Sequence, residues 1–272
     1  MSEPNEGEMT FWDHLDDLRK TLFRIAAFIG VLSLVFFIYM KELFDSVILA
    51  PSRNNFFLYE WFNQASKKIP LFPDFCVGTF QVKVININLS SQFFIHMSTS
   101  FWFALVFSFP FVIYQLFLFI KPALHENEKK NAGWAFFFGN ILFFMGIAIG
   151  YLLVFPLTLR FLAGYQLSTY IENSVSLDSY MDSFMMLCFM MGLVFELPLL
   201  SWLLSQLGIL HRGFFNRFRK HAIIILLIIA AVVTPTGDPF TLMVVFLPIY
   251  MLWEISALVV KRKPKEDDMM IS

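Results

Sequence analysis

The chain has 272 residues, 58% of them hydrophobic and only 15% charged, with 36 Phe. That is too apolar for a soluble domain and typical of a polytopic membrane protein. The net charge of −1 says little by itself, but two cysteines, Cys76 and Cys188, are too few for a disulfide framework or a thiolate metal site. There is no phosphate-binding loop, dinucleotide turn or zincin helix, so an energy-coupled role would draw on ion gradients or partners.

Residues 1–9 are polar and acidic, and no small-residue cleavage pattern follows the first apolar run, so the first helix is expected to remain in the mature protein. Thr10 and Asp13 form a capping-box pattern opening a helix through FWDHLDDLRKTLFRI. Leu15, Leu18, Leu22 and Ile25 share one stripe and Asp13, Asp17, Lys20 and Arg24 another. Residues 1–24 are therefore expected to hold a cytoplasmic interfacial helix that turns into the membrane.

Apolar runs predict six spans, at 25–40, 93–120, 132–159, 183–210, 222–233 and about 240–260. The second, third and fourth are 28 residues each, longer than a core of ~30 Å needs, so they should tilt or kink, with Pro110, Pro156 and Pro198 as kink points. The fifth has 12 uncharged residues and is read as a short span in thinned bilayer or a re-entrant segment. One side of the membrane would carry 14 of the Lys and Arg and the other 6, which makes both termini cytoplasmic, the tail 261–272 included. In the first outer loop, 41–92, FFLYEWF suggests an interfacial helix, while Val82, Val84, Ile85, Ile87 and Leu89 suggest extended chain. The sum is an all-α membrane protein, one polytopic domain over 1–272.

Within the fourth run, Glu196 stands alone between long uncharged flanks, near mid-depth. A carboxylate there is costly and normally has a partner or a function. PALHENEKK at 122–130 places Glu126 and Glu128 at the cytoplasmic surface, where carboxylates can grip arginine by paired hydrogen bonds; a solvated loop is the plain alternative. Asp16 and Asp17 form a second acidic cluster on that side. Tyr114, Gln115 and Gln206 are read mainly as hydrogen-bonding glue between helices, and Gly146 with Gly150 as a small-residue packing pair within or between chains. No nucleophile-base pair or ligand set points to an enzyme, a cofactor, a metal or nucleic acid.

HLDDLRKTL at 14–22, APS at 50–52, FPFVIYQLFLFIKPALHENEKK at 109–130 and GLVFELPL at 192–199 together resemble TatC, the core subunit of the twin-arginine protein translocase. Thr234, Pro235 and Asp238, then Pro248 and Glu254, continue the series. The resemblance implies a cupped six-helix bundle in a prokaryotic inner membrane. It also implies binding of twin-arginine signal peptides, and export of folded proteins on the proton-motive force with single-span TatA- and TatB-type partners. The signal-binding positions fall on Asp17 and Glu128, with Arg19, Phe119, Pro122 and Leu124 around them. Glu196 matches the buried acid, a docking point for a partner's helix; Pro51 and Asp238 match the outer loops. Self-association and lipid contact are expected too. Asp17 stands where the family commonly has Glu, one methylene longer, so Asp16 is a candidate to share its work. The competing reading is a proton-coupled small-molecule transporter using Glu196, for which the spans offer few further ionisable groups beyond Glu254 and His96.

Overall fold

Phe11–Leu43 forms one unbroken helix, α1, in the computed structural model, which describes residues 11–53, 56, 58–59, 82–120, 126–168, 170, 173–206 and 208–260. Side chains of residues 11, 13, 14, 120 and 126–132 lie outside that description, as does the Thr10–Asp13 capping box. The expected turn from an interfacial segment into the membrane is absent. No Pro occurs in α1 and no Gly before Gly30, so nothing interrupts propagation from the amphipathic turns into the apolar ones.

α1 packs antiparallel against α2, Ser91–Ile120, through aromatic rungs: Phe37 on His96 at 4.2 Å, Phe36 on Phe103 at 5.8 Å and Phe28 on Phe111 at 4.3 Å. Between them the chain turns through a π-helical segment, Phe44–Ile48, and a 3-10 turn, Ala50–Ser52. Such irregular turns leave carbonyls without α-helical partners, and each must be satisfied when buried. Three tyrosines from separate elements do this. The Tyr151 hydroxyl donates to Val47 at 2.8 Å, Tyr180 to Ile48 at 2.6 Å and Tyr59 to Pro51 at 2.9 Å. Burial pushes the Tyr59 pKa up, while the Arg160 guanidinium 4.8 Å from its ring pulls the other way, so the phenol remains a neutral donor.

The start of the FFLYEWF segment is packed into the protein rather than laid on its surface: Phe56, Leu58 and Tyr59 are buried against Tyr151, Leu152, Leu153 and Leu157. The rest, 60–81 with Cys76, lies outside the described residues. The extended reading of the loop's end holds where β1, Val84–Ile85, pairs in parallel with β2, Val175–Ser176.

The third span combines α3, Glu126–Ile149, a π-helical turn at Gly150–Val154 and α4, Phe155–Gly164. The fourth combines α5, Leu177–Val194, with α6, Leu197–Gln206. Both irregularities directly precede a proline, Pro156 or Pro198, whose ring crowds the carbonyl four residues back. α2 continues through Pro110 without interruption. α5 starts earlier than the apolar run because Ser176 caps it, accepting from the Ser179 N–H at 3.2 Å. Its Asp178 accepts from Ser91 at 2.8 Å and Asn88 at 3.3 Å, tying the starts of α5 and α2 together.

α7, Arg212–Val233, is one continuous helix rather than a re-entrant turn, and α8 is Pro239–Val259, with Pro248 inside it. Among the described residues five helical units are long and apolar enough to cross a membrane: Leu15–Ser52, Ser91–Phe119, Gly133–Gly164, Leu177–Gln206 and Pro239–Val259. α7 completes the six-helix membrane fold with a shorter apolar stretch. α5 is the centre of the core: Tyr180, Met181, Leu187 and Met191 are fully buried among Val154 and Phe155, Leu226 and Ala230 of α7, and Val245 and Ile249 of α8. Gly146 and Gly150 serve packing within the chain. A Cβ on Gly146 would stand 2.6 Å from the Met191 carbonyl, and one on Gly150 2.9 Å from the Cys188 Cα, so α3 and α5 meet backbone to backbone.

Candidate functional site

The antiparallel rungs set the ends of the molecule. Carried past Phe28–Phe111, the α1/α2 register brings Asp17 just beyond the last turn of α2, where half-buried Phe119 lies, and α3 begins at that same end. Asp17 and Arg19 both reach solvent, and Asp17 pairs with Lys20 at 3.9 Å, an exposed pair one helical turn apart. Such pairs are worth about half a kcal/mol and yield readily to a better-placed guanidinium. Glu128 lies in the first turn of α3, while Pro122 and Leu124 lie outside the described residues.

Glu196 occupies the two-residue turn between α5 and α6. The turn is closed by the Phe195 N–H on Met191 at 3.0 Å and the Glu196 N–H on Leu193 at 3.1 Å. In the Leu177–Gln206 span it sits closer to the Gln206 end, the end that carries Asp17, than the mid-depth expected from sequence. The difference arises because α5 begins at the Ser176 cap. Among the described residues Glu196 Oε1 is buried with no hydrogen-bond partner, and Oε2 lies 3.1 Å from where a Cβ on Gly139 would stand. Gly139 thus leaves the room the carboxylate occupies. Beside it opens an apolar groove of about 600 Å³ between α3, α6 and α8, walled by Trp134, Phe138, Leu199, Trp202 and Ile255, with Gln206 at its edge.

Asn140, next to Gly139 in sequence, is a polar residue of α3 that the sequence reading passed over. Its amide donates to Phe136 at 2.9 Å, and its Oδ1 is buried without a partner. A lone amide inside GNILFF was the available signal. Of the expected glue residues, Gln206 lines the groove, Gln115 is buried and Tyr114 is exposed. The other deep acid, Glu254, is neutralised by Arg219 of α7, a pairing that spacing in the sequence could not reveal.

At the opposite end, Pro51 and Asp238 act within the fold. Pro51 is buried with its carbonyl on Tyr59. Asp238 caps α8: Oδ1 accepts from the Thr241 N–H at 2.8 Å and Oδ2 from the Thr236 hydroxyl at 2.6 Å. Partial burial pushes its pKa up, and these hydrogen bonds outweigh it, so the carboxyl is held below its ordinary value. Its stabilisation is therefore full above the ordinary carboxylate range and is lost as pH falls through the lowered value. Asp238→Ala is expected to cost about 1 kcal/mol and Asp238→Asn much less, since Asn caps as well. Thermal unfolding of the detergent-solubilised protein at neutral and acid pH checks this; an unchanged midpoint in the Ala variant at neutral pH would show the cap to be dispensable.

Comparison with known proteins identifies this arrangement. The family model for the Sec-independent protein translocase protein (TatC) matches residues 13–248. The TatC protein of Blattabacterium sp. subsp. Periplaneta americana (strain BPLAN) is 29% identical over 252 residues, covering 92% of this chain and 94% of its own. That of Helicobacter pylori (strain J99) is 32% identical over 198 residues, 72% of this chain and 79% of its own. The crystal structure of the twin-arginine translocase receptor TatC in DDM superposes with a TM-score of 0.72 at 26% identity, covering 91% of this chain and 99% of that one. The chain belongs to the TatC family of Sec-independent protein translocase components.

Proposed function

We propose that this chain receives twin-arginine signal peptides and scaffolds the assembly that exports folded proteins on the proton-motive force. It works in a prokaryotic inner membrane with TatA- and TatB-type single-span partners. The observation that carries the assembly role is the orphan Oε1 of Glu196, at a helix break beside an open apolar groove. A buried acceptor without a donor among the described residues suits a polar side chain on a partner's membrane helix, with the groove seating that helix's apolar surface. Asp17 supports recognition at the same end, because its weak local pair leaves it open to arginine. The excess of Lys and Arg on the loops at that end supports its being cytoplasmic, with both termini. No catalytic residue takes part.

Complementation tests this reading. Expressed with its own single-span partners in a translocase-deficient strain, the native chain is expected to restore export of a folded twin-arginine reporter. A twin-lysine version of the reporter should stay inside. Export of neither reporter by a stably inserted chain, or equal export of both, would refute it.

A further inference from the structure

α7 carries two faces with different roles. Phe215, Ala222, Leu226, Ala230 and Val233 are buried and turn toward the bundle, and Arg219 on that side is taken by Glu254. The opposite face, at helical spacing, carries exposed Arg217, Lys220 and His221 and continues without interruption into Ile224 and Ile228, both more than half exposed. The Arg217 guanidinium lies 5.8 Å from the Phe218 ring, which meets Phe214 in a tilted pair at 4.8 Å, and these two rings border the same face. Among the described residues, no carboxylate lies within ion-pair distance of Arg217 or Lys220.

The stretch Ala222–Val233 measures about 18 Å along the helix, close to the depth of one leaflet of hydrocarbon rather than two. Cations immediately before it are thereby held near the boundary between headgroups and acyl chains, where an anionic headgroup is the available counter-charge. One continuous face offers cations flanked by aromatic rings, then an apolar track of acyl-chain length. We propose that the exposed face of α7 binds an anionic phospholipid, its phosphate on Arg217 and Lys220 and a chain along Ile224 and Ile228. The match is to an amphipathic ligand: a basic cluster alone would suit many anions, but the adjoining Ile track suits a lipid.

The test uses the full-length protein in nanodiscs of mixed phosphatidylcholine and phosphatidylglycerol, with spin-labelled versions of each lipid reporting first-shell preference. The native protein is expected to prefer the anionic lipid, and the preference to fall about tenfold in the R217Q/K220Q double variant. R53Q/K83Q, which removes two cations at the other end, should leave it unchanged. Added inorganic phosphate should not displace the lipid. A photoactivatable phosphatidylglycerol on the native protein should label the 213–228 peptide above all others, which keeps the test independent of how the variants fold. Absence of preference in the native protein, its persistence in R217Q/K220Q or labelling spread over other peptides would overturn the proposal. So would loss of partner subunits from R217Q/K220Q with lipid preference intact, which would assign the face to protein.

Discussion

Glu196→Ala is expected to insert and fold normally yet lose co-purification of single-span partners by about tenfold or more, with export of folded cargo falling in parallel. The physical basis is asymmetric. In the native chain Oε1 is already unsatisfied, so removing the carboxylate relieves a cost in the isolated subunit rather than creating one. In an assembly where a partner side chain donates to that oxygen, the same truncation strands the donor in an apolar groove. An interhelical hydrogen bond in a membrane contributes about 1–2 kcal/mol in peptide systems, and stranding a donor adds to that. Glu196→Gln retains an acceptor oxygen and should keep most of the association, separating hydrogen bonding from charge. Quantitative pull-down from detergent extracts, with thermal unfolding of each variant, reads both effects. Normal partner recovery with Glu196→Ala would remove the assembly role.

The second large effect is expected at the other acidic site. Asp17→Asn and Glu128→Gln should each weaken cross-linking of a twin-arginine signal peptide by about tenfold or more, since a hydrogen bond to a charged group contributes about 1.5–3 kcal/mol. The double variant should bind arginine and lysine signals alike, because discrimination between a planar fork and a point charge depends on the paired carboxylates. Asp17→Glu restores the commoner family side chain and should bind at least as well as native. Asp16→Asn is the informative neighbour: a loss equal to that of Asp17→Asn would mean the two share the ligand. Undiminished cross-linking by the Asp17/Glu128 double variant would defeat the recognition reading.

Some of this was plain from residue order. Uninterrupted apolar runs announce membrane helices because lipid leaves a chain no other way to satisfy its backbone. Five of the six runs correspond to helices long and apolar enough to span, and the sixth lies in a continuous helix. The boundaries were less legible where polar residues serve the protein rather than the solvent. Asp178 and Asp182 ended the fourth run too early on paper, although Ser176 caps the helix and Asp178 joins it to α2. Phe56 and Tyr59 looked interfacial because aromatic composition does not say which surface a ring meets; they meet the π-helical turn Gly150–Val154 and α4. The surface turn expected after Arg24 failed because an amphipathic pattern sets a helix's faces and not its direction.

Residue order by itself determined the membrane class, the approximate spans, the lone standing of Glu196 and the family series, because each depends on local composition or on spacing along one element. Only the tertiary structure decided which deep acid is free. Glu254 finds Arg219 on the neighbouring α7, whereas Glu196 Oε1 finds no hydrogen-bond partner among the described residues, and no one-dimensional pattern encodes which helices become neighbours. The tyrosine contacts on Val47, Ile48 and Pro51 belong to the same category. Carbonyls released by an irregular turn must be satisfied by whatever donors the packed bundle brings to them, and that pairing exists only once the helices have met.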